Sequence, residues 1–97
     1  MGNDLITKIE QEAIAFIDEK RKEARPKMTI DALASAVFPG IPISNARMVL
    51  QRMRKPQANG KTRSVSLGEF VEMTRALKLS PLDALGVILN RIDETKV

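Results

Sequence analysis

The sequence predicts an all-α protein of five helices around one core. Apolar residues recur at intervals of three and four in five separate segments, as one buried helix face requires. Polar cap residues stand at the head of those segments, at Asn3, Thr29, Ser44, Ser66 and Ser80. No segment reads as a strand, and there is no internal repeat or low-complexity tract. The chain of 97 residues makes a single domain near the lower end of sizes that bury enough apolar surface to fold unaided. With no Cys and no His it has no disulfide and no soft metal ligand to brace the core.

The first helix is predicted from Asp4 to Glu23, a stretch without Gly or Pro. Leu5, Ile9, Ala13, Phe16 and Ile17 form its apolar stripe, and Asn3 is placed to cap it. Charges of both signs cover the other face, and Lys20, Arg21, Lys22 and Arg25 sit near the end where cations complement the helix dipole. Pro26 stops it. A short second helix starts at Thr29, whose hydroxyl can accept from a free amide of the first turn, with Asp31 adding favourable negative charge there. Leu33, Ala34, Val37 and Phe38 supply its buried face. The run Phe38-Pro39-Gly40-Ile41-Pro42 then forces a turn, because each proline lacks an amide donor and disfavours helical geometry in the residue before it.

Ser44 is the expected cap of the third helix, and Ala46, Val49, Leu50 and Met53 mark its buried stripe. Asn45, Arg47, Met48, Gln51, Arg52 and Arg54 are left outside. From Lys55 to Val65 there is no apolar period but an Asn59-Gly60 turn signal and Pro56, so this stretch reads as a mobile basic loop. Ser66-Leu67-Gly68-Glu69 is a capping box, and Phe70, Val71, Thr74, Leu77 and part of Met73 carry the fourth helix to about Lys78. Ser80 caps the fifth, with Pro81 at the first helical position, where its missing amide costs nothing. Leu82, Leu85, Ile88 or Leu89, and Ile92 form its stripe, ending near Asp93. The expected core is Leu33, Val37, Val49, Leu50, Phe70, Leu77, Leu82 and Leu85.

Charge is distributed unevenly. Between Asp31 and Glu69 lie six basic residues, Arg47, Arg52, Arg54, Lys55, Lys61 and Arg63, and no carboxylate. The net charge is +4, so the rest of the chain, with ten Lys or Arg against twelve Asp or Glu, has a balance of −2. A patch of one sign favours a polyanion through release of its condensed counter-ions. The third helix adds Arg, Asn and Gln, whose geometry suits bidentate bonds to guanine or adenine edges in a major groove.

The order of these signals resembles the lambda-repressor-like (Cro/CI-type, XRE-type) helix-turn-helix DNA-binding domain. The resemblance rests on Thr29-Ile30-Asp31-Ala32-Leu33-Ala34 and on Ser44 to Met53 in the place of a recognition helix. Ser66-Leu67-Gly68-Glu69-Phe70 through Ala76-Leu77-Lys78-Leu79-Ser80-Pro81 completes it. Phe38 stands where that family usually has a Gly, and the turn is about two residues longer. The resemblance implies a compact five-helix domain with a long first helix, and a helix-turn-helix at about 29–54 in which the third helix enters the major groove. Mapped by pattern, Ser44, Asn45, Arg47, Met48 and Gln51 would face bases, while Thr29, Arg52, Arg54, Lys55, Lys61 and Arg63 would meet phosphates. It implies a transcriptional regulator, repressor-like, of prophage or bacterial type.

Three other classes fit less well. An antitoxin-like or adaptor module would use the same helices to hold a protein partner. A single-strand or RNA binder needs exposed aromatics for stacking, and this chain has three Phe, no Tyr and no Trp. Enzyme chemistry is not expected: the Ser residues have no His to activate them, and the glycines form no phosphate-cradling pattern. No cofactor or metal is expected. The longest uncharged stretch, Ala32 to Ala46, is broken by Pro39, Gly40 and Pro42, so no membrane span is expected and the reading is a soluble cytoplasmic protein. Val87 and Ile88 exceed what one core stripe needs, which points to a homodimer through the last helix, with the first helix as the alternative.

Overall fold

Apolar stripes, caps and prolines place the helices within a residue or two of their expected limits. The computed structural model describes residues 3–55 and 62–95, and among these the regular structure is entirely helical: α1 (Asn3–Glu23), α2 (Ile30–Val37), α3 (Ile43–Arg54), α4 (Leu67–Ala76) and α5 (Pro81–Thr95). Helix α1 packs on α5, α3 and α4, while α2 lies between α3 and α4 and α4 also meets α5. Among the described helices, α3 therefore rests on α1 and α2 alone. Each helix sends at least one side chain into full burial: Ile17, Leu33, Leu50, Met73 with Thr74, and Ile88. The Thr74 hydroxyl donates to the Val71 carbonyl at 2.8 Å, so the buried polar group is satisfied within its own helix.

Local chemistry accounts for the ends. The Thr29 hydroxyl accepts from the Ala32 amide at 3.0 Å and starts α2. Phe38, ahead of Pro39, leaves helical geometry but still donates its amide to the Ala34 carbonyl at 2.8 Å. Ser66 accepts from the Glu69 amide at 3.1 Å and the Glu69 carboxylate accepts from the Ser66 amide at 2.9 Å, a complete capping box. Ser80 accepts from the Asp83 amide at 3.3 Å ahead of Pro81. Helix α4 stops at Ala76, two residues short of the expected Lys78. Lys78 takes φ 60°, its amide donates to the Arg75 carbonyl, and the Leu79 amide donates to the Thr74 carbonyl. This is a Schellman ending with Lys in the place glycine usually fills.

Four expectations of burial need correction. Leu82 is 79 % exposed and is not in the core. The buried stripe of α5 runs through Ala84, Ile88 and Ile92, and a residue two places ahead of Ala84 faces nearly the opposite side of a helix with 3.6 residues per turn. Ile88, offered both as a stripe residue and as surplus apolar surface, is fully buried for the same reason; Val87 and Leu89 are the exposed neighbours. Leu5 lies on the exposed first turn of α1, whereas Ile14 is buried together with Ala13, Phe16 and Ile17. Met73 is wholly enclosed, not partly. Val49, Leu77 and Leu85 are half-buried and pack against the core from its edge.

The capping box is also an acid-sensitive device. Burial alone would raise the Glu69 carboxyl, but hydrogen bonds from Arg63 and the Ser66 amide outweigh it and hold it below its ordinary value. A carboxyl held lower in the folded state contributes stability above its unfolded value, and that contribution is lost as the pH falls through the folded value. Stability in urea is therefore expected to decline as the pH is lowered from about 4.3. The variant Glu69→Gln, which keeps an acceptor for Ser66, should be less stable at neutral pH and show a flatter acid limb. An acid limb of unchanged steepness in that variant would remove Glu69 from the account.

Candidate nucleic-acid interface

Helix α3 is the element whose position decides the site. Its start is not where the sequence suggested: the helix begins at Ile43 with Pro42 in the cap position, and Ser44 makes no cap bond. Pro42 holds φ −56° and its carbonyl accepts from the Ala46 amide at 3.0 Å, so the first turn closes two residues earlier than a Ser44 cap would allow. Ala46, Leu50 and Met53 are buried, at 0, 1 and 2 % exposure. A stripe at that spacing turns Ser44 and Met48 to the opposite, outer side. Asn45, Arg47 and Arg52 are exposed on its flanks, and Gln51 and Arg54 are half-buried.

The cations of this region are not an unpaired patch. Arg47 grips the Asp31 carboxylate of α2 with two nitrogens, Nη2 to Oδ2 at 2.8 Å and Nε to Oδ1. That hydrogen-bonded pair holds the Asp31 carboxyl below its ordinary value and raises the Arg47 guanidinium. Arg54 donates to Asp18 of α1 at 2.8 Å and to the Gln51 side-chain oxygen at 2.7 Å, and Arg21 shares the same aspartate at 3.3 Å. Arg63 makes a two-pronged pair with Glu69 at 3.0 and 3.1 Å and lies over the Phe38 ring. Among the described residues Arg52 and Lys55 have no carboxylate partner, and Arg52 reaches the Met48 sulfur at 3.5 Å.

Sequence reasoning missed the three carboxylates that answer these arginines. Asp31 and Glu69 are the very residues that bound the acid-free stretch, and Asp18 lies a full helix away in sequence. No local pattern announced the Arg54–Asp18 pair. Asp18 stands on a helix face that carries charges of both signs, yet it is half-buried where α3 crosses α1.

The remaining expected contacts fall as follows. Thr29 is an exposed cap, and Asp31 stands in the same first turn, so a phosphate there would meet a carboxylate already engaged by Arg47. Lys55 is extended and exposed at the end of α3. Lys61 and most of the expected mobile loop lie outside the described residues. The part that is described, from Thr62 to Val65, is tied down: the Arg63 amide donates to the Arg52 carbonyl at 2.9 Å and the Val65 amide to Glu10 at 3.2 Å.

On another side an apolar groove between α1, α4 and α5 is lined by Ile6, Ile9, Val65, Leu67, Phe70 and Leu85. No group of three or more His, Cys, Asp or Glu that could hold a metal ion occurs among the described residues. No helix among them is long and apolar enough to cross a membrane. Comparison with protein-family models, curated proteins and solved structures gives no match for this chain.

The two kinds of arginine on α3 should behave differently when removed. Arg54→Ala leaves a half-buried Asp18 carboxylate with fewer donors and should cost about 1.5–3 kcal/mol, the range for hydrogen bonds to charged groups. Arg52→Ala removes an exposed side chain and should stay within about 0.5 kcal/mol of the parent. Urea unfolding of both variants checks this, and equal losses would contradict the assignment.

Proposed function

We propose that the protein binds double-stranded DNA in a sequence-specific way and acts as a repressor-like transcriptional regulator, with α3 as the helix that enters the major groove. In this reading α2 and α3, with the turn between them, form a helix-turn-helix of the lambda-repressor-like kind, and the protein works in the cytoplasm. The observation that supports it is the outer face of α3. One side of the helix is wholly buried, and the other offers Ser44, Asn45, Arg47, Met48 and Arg52 to solvent with no carboxylate of its own.

The ion pairs refine the roles. Ser44, Asn45 and Met48 are proposed to face bases; Arg47 and Gln51 stand at the flank, already held by Asp31 and Arg54. Arg52, Lys55 and Lys61 are proposed to meet phosphates, with the Thr29 turn beside them. Arg54 and Arg63 contribute by holding α3 and the following segment against α1 and α4.

Salt dependence separates this reading from a protein-interaction module. Each phosphate neutralised adds about 0.9 to the slope of log affinity against log salt. Arg52→Ala should reduce that slope by about one unit on cognate and random duplexes alike, whereas Arg54→Ala, once folded, should leave it nearly unchanged. Failure of the parent protein to bind any duplex at low ionic strength would end the proposal.

A two-fold homodimer belongs to the same reading. Leu82, Val87 and Leu89 expose apolar surface on α5, and a second copy paired there would read two half-sites about 34 Å apart. Sedimentation of the complex should give two chains per duplex. One chain per duplex at saturation rules the dimer out.

A further inference from the structure

We infer that α3 reads adenine–thymine pairs in preference to guanine–cytosine pairs, with Met48 against a thymine 5-methyl group and Asn45 on an adenine edge. This inference rests on the DNA-binding reading above. It follows from which side chains of the outer face are already engaged.

Guanine is read best by a free guanidinium placed bidentately on O6 and N7. Arg47, in the N-terminal half of α3, has two nitrogens on Asp31. Turning it to guanine would leave the Asp31 carboxylate unpaired beside a polyanion, so the exchange is opposed by the DNA itself. Arg54 is bound to Asp18 and Gln51, and Arg52 lies towards the C-terminal end, where phosphate contact is the natural role.

The groups suited to adenine and thymine, Asn45 and Met48, are both exposed and neither meets a carboxylate, although the Met48 sulfur accepts from Arg52 at 3.5 Å. Asn45 is exposed and its amide has no hydrogen-bond partner among the described residues, so donor and acceptor are both available to adenine N7 and N6. Met48 lies opposite the buried Ala46–Leu50–Met53 stripe and is 52 % exposed, an apolar tip at the centre of a polar face. A flexible thioether adapts readily to a methyl group in the groove. Ser44, on the same outer side, accepts or donates to either kind of pair.

The test begins with selection of bound duplexes from a random pool, followed by replacement of each selected thymine with deoxyuridine, which removes only the methyl group. The parent protein should lose about fourfold in affinity at one thymine per half-site, the effect of one buried methyl. Met48→Ala should bind the thymine and deoxyuridine duplexes equally, and Met48→Leu should restore the difference. Asp31→Asn frees Arg47 and should shift the selected sites towards guanine. Specific binding that is indifferent to every deoxyuridine replacement, or selected sites built of guanine–cytosine pairs in the parent, would overturn the inference while leaving DNA binding intact. Absence of binding to any duplex removes the DNA-binding reading, and this inference with it.

Discussion

The seating of α3 is the constraint from which the rest of the molecule's surface follows. Ala46, Leu50 and Met53 are buried against α1 and α2 almost without residual exposure. A rotation of the helix about its own axis would bring Arg47 or Gln51 into that apolar contact, at a cost that no partner there could offset. The outer face is therefore fixed by what the inner face must bury. Ala46 matters here because a small side chain at full burial lets the backbones of α3 and its neighbours come close. The same logic explains why a helix that touches only two others can still be held in one orientation.

Charge pairing adds direction to that seating. Arg47, Arg54 and Arg63 reach carboxylates on three different helices, Asp31 of α2, Asp18 of α1 and Glu69 of α4. Pairs exposed to water add little to stability, because side-chain ordering and solvent screening offset the attraction. Arg54–Asp18 differs from Arg47–Asp31 in this respect, since both of its side chains are mostly shielded and Gln51 completes the guanidinium's bonding. One end of α3 is thus anchored by a shielded network and the other by an exposed clamp. The segment after α3 is tied back in turn by Arg63, whose amide, guanidinium and aromatic contact each face a different element.

These pairs change the meaning of the acid-free stretch. In sequence it looked like a cationic surface without counter-ions. In space three of its arginines are matched, and the cations left without a carboxylate among the described residues, Arg52 and Lys55, both lie at the C-terminal end of α3. A field concentrated at one end of a helix orients a polyanion along it, and the outer face ahead of that end is left to apolar and amide groups. On the proposed DNA-binding reading, those cations would set register and the neutral side chains would discriminate.

What the sequence by itself determined was the set of helices and most of their ends. Thr29, the Ser66–Glu69 box, Ser80-Pro81 and the prolines after Phe38 act over three or four residues, and short-range chemistry of that kind is legible from order alone. The stripe of α3 was legible for the same reason, because a helix's period is built into its backbone. The tertiary structure alone decided which arginines keep a free charge, since Asp18 meets Arg54 only when α1 and α3 cross. It also decided that Ile88 and not Leu82 enters the core, because a stripe fixes which residues share a face but packing chooses which face is turned inward. At Ser44 a plausible cap lost to Pro42, whose preset backbone closes the first turn before any side chain is needed.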